Sequence, residues 1–481
     1  MSSRLACGHD IPVMIVNSRE TQPSYFNPCD TMKLFAGNGQ FTMDDDKYKV
    51  RDVLDQMLTA KANSEFDAGN LGLARGHVLL RSLFLAGLPG QGTAEESQPD
   101  ITDGASAVAG LKALLRWRDD ASEEAWTKKT GVSLLHVAAA LNYHSAAKEL
   151  LASEKDRAMK DRAINLPIKN LVALDTAEAK GSKMMSGTNL RMSYDGMTPL
   201  GAAMMTPMTS PAMIELLISH GATDKKGWAF LNGCASGSLE NMKTYHRLMK
   251  GDSKGTPSYM TASSMQMMGC NTLHCVAWMS DGPGQVAKLE WLLENGAGPC
   301  CKKRMAFGAT PLAALAMNQE ADPAAFDVLV KAGSDPKEEI KPWVFVRAMR
   351  NFLRLSKWLR PGRFSAAEEM ITMASGGNLL HAPAMMGHVQ NLKTVGALGV
   401  KVDAKNKQGL KPIDILHKAM PDSHAPQLVQ DVLPDFKFTE EEKRVLKAKF
   451  KGAALAAKLS TTAQIMPNRP MATTSVVPTA A

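Results

Sequence analysis

No stretch of this 481-residue chain approaches the ~20 consecutive apolar residues needed to span a bilayer. The amino terminus, MSSRLACGHDIPVMIVNSRE, lacks the basic start and long apolar core of a secretory signal, because its one short apolar run is broken by Pro12 and followed by charge. A soluble protein of the cytoplasm or nucleus is therefore expected, with membrane contact peripheral at most. Cysteine is sparse as well. The seven cysteines, at 7, 29, 234, 270, 275, 300 and 301, are odd in number and scattered, unlike the even sets of small secreted disulfide scaffolds, and read as reduced thiols. No charge of one sign dominates: 56 Lys and Arg against 48 Asp and Glu leave a formal net charge of +8, modest for this length. Specific nucleic-acid binding is not expected, and an acidic partner is permitted without being implied.

Catalytic signatures are missing too. The segment GLPGQGT lacks the lysine of a phosphate-binding loop, and neither a G-x-S-x-G elbow nor an H-E-x-x-H pair occurs. No enzyme and no cofactor are expected. The sharpest rival is a metal or thiol site around Cys270, His274, Cys275, Cys300 and Cys301, whose soft ligands suit zinc but whose spacings are not C-x-x-C pairs.

What the chain does contain is repetition. Gly376 precedes His381 in G-x-N-L-L-H, Gly409 precedes Asp414 in G-x-K-P-I-D, and the two glycines are 33 residues apart. Related openings occur at Gly131, Gly196, Gly227, Gly269 and Gly308; Asp195-Gly196-Met197-Thr198-Pro199-Leu200 is the fullest. Each residue type has a local reason: Gly permits the turn, Thr accepts from a free N–H at the helix start, and Pro fits the first helical turn, where its missing donor costs nothing. The Ala138-Ala139, Ala202-Ala203 and Ala313-Ala314 pairs keep the first helix of a unit slim, while Leu, Ile and Val fill the second. One such unit cannot bury its apolar face alone, so several must stack, with polar helical ends.

A fixed period opening on T-P-L-H-like residues resembles the ankyrin repeat. The resemblance covers 131–417 and implies an all-α solenoid of helix-turn-helix units joined by short hairpins. It departs from the pattern at Leu134, Thr272 and Leu379, where proline is absent, and in the third unit, where Thr-Pro becomes Ala229-Phe230. Asp281-Gly-Pro-Gly284 is expected to lengthen the loop inside the fourth unit, and Ser210-Pro211 and Asp322-Pro323 to cap second helices. The intervals between unit-opening glycines are 65, 31, 42, 39, 68 and 33. Two are nearly doubled, so 157–194 and 340–375 hold either degenerate repeats or insertions.

Outside the repeats, 1–40 reads as an irregular arm and 41–120 as a helical region, with helices from Thr42 and through LGLARGHVLLRSLFLAG. ASAVAGLKALLRW reads as a helix left over from a leading repeat. A helix over 437–459 carries a Thr439-to-Glu442 capping box, and 460–481 reads as a disordered tail. Thirty-one methionines serve either as a re-packable binding surface or as core filler in place of Leu and Ile.

The resemblance implies a non-enzymatic scaffold or adaptor that binds one or more proteins through hairpin tips and slim helices. Carried onto this chain, the tip residues are Met197, Trp228, Ala309, Lys407, Gln408 and Leu410. Trp228 is the leading anchor, its alternative being a buried filler. His136, His274 and His381 occupy the signature position that bonds to neighbouring backbone. A second reading rests on 340–363, IKPWVFVRAMRNFLRLSKWLRPGR, which has seven basic residues and no acid. Arg347, Arg350, Arg354 and Lys357 fall on one helical stripe, as in helices that bind calmodulin-like proteins or anionic lipid. The alternative there is a degenerate repeat helix with its charges solvated.

Overall fold

The seven unit-opening glycines, from Gly131 to Gly409, all adopt φ between 70° and 88°, a left-handed backbone that only glycine reaches without strain. At Gly196 and Gly308 there is also no room for a side chain. An added Cβ would lie 2.1 Å from the Trp228 ring and 2.2 Å from the Lys341 carbonyl carbon. These turns come from a computed structural model that describes residues 14–15, 24–25, 44–69, 74, 78, 106–116, 124–125, 127–128, 131–153, 163–168, 196–206, 209–250, 255–265, 268–280, 282–318, 320–344, 346–348, 351, 376–386 and 388–419.

Each turn launches a first helix, and most units return by a second. The first helices are α3 (Leu134–Ala140), α5 (Pro199–Met205), α7 (Trp228–Ser236), α9 (Thr272–Met279), α11 (Pro311–Ala316), α13 (His381–Met386) and α15 (Pro412–Ala419). The second helices are α4 (His144–Ser153), α6 (Pro211–Ser219), α8 (Leu239–Lys250), α10 (Gly282–Leu292), α12 (Pro323–Lys331) and α14 (Val389–Ala397). Consecutive first helices touch, and so do consecutive second helices, giving two parallel layers. The alanine pairs at 138–139, 202–203 and 313–314 are buried between neighbouring units, and Ile214, Leu217, Leu289, Leu329 and Val395 fill the space behind them. One continuous apolar core runs along the whole stack. Met204, Met213, Met242, Met260 and Met305 lie inside it, which is the core-filling use of methionine.

Ahead of the first unit, α2 (Ala107–Leu114) packs on α4 as a second helix would. Ser106 caps it by accepting from the Ala109 N–H at 3.2 Å. A long helix, α1 (Asp44–Asp67), leans on its end: Arg116 lies 4.7 Å over the Phe66 ring and bonds to Asn63. Thr42, the helix expected through 71–87 apart from the buried Ala74 and Val78, and the segments 437–459 and 460–481 lie outside the described residues. Within the amino-terminal arm, β1 (Met14–Ile15) pairs antiparallel with β2 (Ser24–Tyr25), a short ladder where only irregular chain is expected.

Each doubled interval begins and ends at one hairpin. Where a hairpin is complete, the Asn406 N–H donates to Leu410 O at 2.9 Å and the Gly409 N–H to Asn406 O at 2.9 Å, closing a four-residue tip. The same two bonds recur between Ile168 and Gly196–Met197, at 2.6 and 2.8 Å, and between Ile340 and Gly376–Gly377, at 3.0 and 2.7 Å. The chain thus leaves the hairpin at 168 and at 340 and re-enters it at 196 and at 376. α3 packs directly on α5, and α11 on α13, so no further unit stands between them. The Asn391 amide spans that second junction, donating to Ala316 O at 3.0 Å.

Two local expectations change. Gly282–Gly284 form the first turn of α10 and not a loop, because Pro283 suits that position and Gln285 behind it donates to the Val276, Ala277 and Ser280 carbonyls at 2.8–3.2 Å. Ser210 precedes α6 but does not cap it; its N–H and hydroxyl both donate to Asn142 Oδ1 of the first unit at 3.1 Å. Asp322 does cap α12, accepting from the Ala324 N–H at 2.9 Å.

Candidate binding surface

The signature histidines bolt one hairpin to the next. His274 Nδ1 accepts from the Asn271 N–H at 3.4 Å, which leaves the proton on Nε2 to donate to Ala309 O of the following unit at 2.9 Å. His136 makes the same pair of bonds with Ser133 and Met197 O, at 3.1 and 3.3 Å, and His381 with Asn378 and Leu410 O, at 3.0 and 3.1 Å. Burial disfavours the imidazolium. It lowers the pKa of His136 and of His274 to about 4, against the smaller upward pull of their carbonyl acceptors, and lowers His381 as well. With both nitrogens engaged, His274 has none to offer a metal. Cys234, Cys270, Cys275, Cys300 and Cys301 are buried and form no disulfide, and desolvation raises the Cys234, Cys275, Cys300 and Cys301 thiols above the ordinary range. Among the described residues no group of three His, Cys, Asp or Glu is placed to hold a metal ion.

The third unit, which has no Thr-Pro, is closed by a carboxylate from the preceding turn. Asp224 accepts from the Trp228 N–H at 2.8 Å and the Phe230 N–H at 3.1 Å, and from the Tyr245 hydroxyl of α8 at 2.8 Å. Burial raises its pKa, while the hydrogen bonds from Tyr245, Phe230, Trp228 and Ala229 oppose the rise. Phe230 stands in the place of the lost proline and packs against Tyr245 and Tyr259, with ring centroids 5.2 and 4.9 Å away. A degenerate unit thereby keeps the helix start that its own sequence does not supply. Only the acid three residues before Gly227 hints at this.

The expected tip residues divide by exposure. Met197 and Ala309 are buried, at 4% and 3%, as part of the continuous apolar core. As residues offering a side chain to a partner they are corrected. Lys407 is exposed, and Gln408 and Leu410 are half-buried on the last hairpin. Trp228 is half-buried: one side of its ring covers Gly196, and Lys226 Nζ lies 4.7 Å from its centroid. Of the basic stripe, Arg347 is exposed, while Arg350, Arg354 and Lys357 lie outside the described residues.

The start of the 340–375 insertion lies across the hairpins of earlier units. The Lys341 N–H donates to Gly308 O at 3.4 Å, the Trp343 N–H to Ala306 O at 3.0 Å, and the Ala306 N–H to Met268 O at 2.7 Å. The Trp343 ring sits where a Cβ on Gly269 would be, 2.8 Å away. One helical turn follows, closed by the Arg347 N–H on Trp343 O at 3.0 Å, with Val346 buried and Val344 71% exposed. Met265, in the loop of the neighbouring hairpin between β3 (Ser263–Ser264) and β4 (Cys270–Asn271), is 60% exposed. Exposed Lys302 and Lys303 lead into the hairpin that carries Ala306. Sequence reading missed Met265, Val344, Lys302 and Lys303; of these only the basic Lys302-Lys303-Arg304 run carries a visible signal.

No helix among the described residues is long and apolar enough to cross a membrane. No family model matches the sequence, and no curated protein does. Solved structures similar to the chain include the human ASB11 ankyrin repeat domain, 17% identical, with a TM-score of 0.36 over 64% of this chain and 100% of that one. Another is the ankyrin repeat domain of Bcl-3, described as a unique member of the IkappaB protein family, 18% identical, with a TM-score of 0.34 over 63% of this chain and 99% of that one. The repeat assignment stands on the internal geometry: left-handed glycines, Thr-Pro helix starts and histidine bolts in register.

Proposed function

We propose that this ankyrin-repeat solenoid is a non-enzymatic scaffold that grips one or more protein partners along its hairpin edge. The observation that carries the reading is the division of labour at each hairpin. Histidine, threonine and glycine are consumed in joining units, whereas Lys226 beside Trp228, and Lys407 on the last hairpin, stand exposed at the edge. A stack that holds its own shape leaves that edge preorganised, which lowers the ordering cost of binding. A proximity-labelling or pull-down screen with the full chain and a Trp228→Ala variant tests this. Loss of a subset of protein partners, at an unchanged melting temperature, supports the reading; identical recovery in both removes Trp228 as an anchor, and no protein captured by either sinks the scaffold reading.

The second reading, a sensor that binds a calmodulin-like protein or anionic lipid through 340–363, is the less favoured. Pro342 and Val346 are buried and Trp343 is seated on Gly269, so a partner that wraps this segment must first peel it from the stack. Titrating calmodulin and anionic vesicles with both the isolated segment and the full chain distinguishes the cases. Binding by the full chain as tight as by the segment favours a sensor; binding confined to the peptide argues against it.

A further inference from the structure

We propose that the hairpin edge of the fourth and fifth units, completed by the start of the 340–375 insertion, docks an acidic protein segment carrying a large apolar side chain. The inference rests on the scaffold reading and adds the chemistry of the partner. Among the described residues only four large apolar side chains are strongly exposed, Tyr48, Val53, Met265 and Val344. The last two come to the same edge from positions 79 residues apart in sequence. They are brought together by a backbone ladder: Met268 O receives the Ala306 N–H, Ala306 O receives the Trp343 N–H, and the Trp343 ring packs down on Gly269. Neither apolar side chain is explained by the fold, since the hydrogen bonds and the Trp343 clamp hold the ladder without them.

The rim of this patch is basic. Lys302 and Lys303 lead into Ala306 at the centre of the ladder and Arg347 follows Trp343, all three exposed, while exposed Lys341 reaches Glu339 Oε2 at 4.0 Å. An apolar centre with a cationic rim matches a segment that presents an apolar anchor among carboxylates: the anchor supplies desolvated area, and the charges set orientation and on-rate. Exposed Asp335 and Glu339 on the adjoining hairpin favour a peptide over a nucleic acid. A uniform phosphate backbone would meet these acids with repulsion, whereas a peptide of mixed sequence places its carboxylates only opposite the lysines. The clamp makes the site conditional on the insertion, because without Trp343 on Gly269 neither Val344 nor Arg347 is held at this edge.

The test uses the full chain and fluorescence anisotropy at low ionic strength. The probes are a labelled peptide of Asp and Glu with one central Trp, its central-Gly counterpart, a labelled single-stranded oligonucleotide and phosphatidylserine vesicles. The Trp peptide is expected to bind more tightly than the Gly peptide. Lys302→Glu/Lys303→Glu is expected to weaken it roughly tenfold or more, and Met265→Ser/Val344→Ser to abolish the Trp-over-Gly preference. Lys148→Glu/Lys243→Glu, exposed on the second-helix layer away from the hairpin edge, serves as the matched charge control. Because every substituted side chain is exposed, circular dichroism should be unchanged. Equal weakening by the control pair, or no weakening by either, overturns the site while leaving the scaffold reading to its own pull-down. Tighter binding of the oligonucleotide or the vesicles that is lost with the same two lysines overturns the choice of a protein partner.

Discussion

Acidification should weaken this stack through its histidine bolts. His274 is neutral when folded, with a pKa lowered to about 4 by burial against 6.5 in the unfolded chain. Between those values the unfolded chain binds the extra proton and the native one does not, so stability is present above pH 6.5 and is lost as pH falls towards 4. The gap is worth about 3.4 kcal/mol at its full extent, of which about 2 kcal/mol is lost between pH 7 and pH 5. His136, also at about 4, adds a similar loss at the first junction. Asp224, raised by burial, works in the opposite sense, since a native carboxyl that holds its proton more tightly gains stability relative to the unfolded chain as pH falls. The informative quantity is therefore the difference between the parent chain and His274→Asn. Asparagine is chosen because Asn232 occupies the equivalent position, five residues after Gly227. Urea midpoints followed by circular dichroism at pH 7, 6 and 5 give that difference. His274→Asn should be less stable than the parent at pH 7, by about 1–3 kcal/mol for the buried Ala309 carbonyl left without its donor. It should then lose about 2 kcal/mol less than the parent on going to pH 5. A parent and variant with the same pH dependence would refute the assignment of a neutral, proton-donating imidazole at this junction.

Three further outcomes follow from the same contacts. Asp224→Ala removes the acceptor for two helix-start N–H groups and the Tyr245 hydroxyl, and should lower stability by about 2–3 kcal/mol in thermal or urea unfolding, with Asp224→Asn intermediate. Gly196→Ala combines φ of 88° with a Cβ 2.1 Å from the Trp228 ring; it should cost more than ~1 kcal/mol and shift tryptophan emission, whereas Gly409→Ala, where nothing lies within 4 Å, should cost only the backbone strain. Replacing 171–193 by a short Gly-Ser turn should leave the stack folded and its unfolding midpoint nearly unchanged, because Ile168 and Gly196 are already joined; a large loss of helical signal would mean that a stacked unit had been removed.

The features legible in the sequence are those decided within a few residues. A left-handed turn needs glycine wherever it falls, so Gly131 through Gly409 could be read in register without coordinates. Thr198-Pro199 and Thr310-Pro311 mark helix starts because cap and first-turn preferences are local, and both threonines accept the N–H three residues on. The alanine pairs and the second-helix leucines give the layers, since volume at a fixed helical position is a property of the residue itself.

What only the tertiary structure decided involves partners far apart in the chain. Ile168 meets Gly196 and Ile340 meets Gly376 to close one hairpin each, which spacing alone does not reveal. Met197 and Ala309 carry the outward look of tip residues, yet their side chains pack into the continuous apolar core. Ser210 has the form of a helix cap, yet its N–H and hydroxyl donate to Asn142 Oδ1 of a neighbouring unit and its side chain accepts from no N–H of its own helix. The third unit lacks its Thr-Pro and is completed by Asp224, placed there by the turn before it and by Tyr245 from the helix after it. Sequence determined the unit, because a unit's rules are short-range. The stack determined which surfaces remain for a partner, because exposure depends on every neighbour at once.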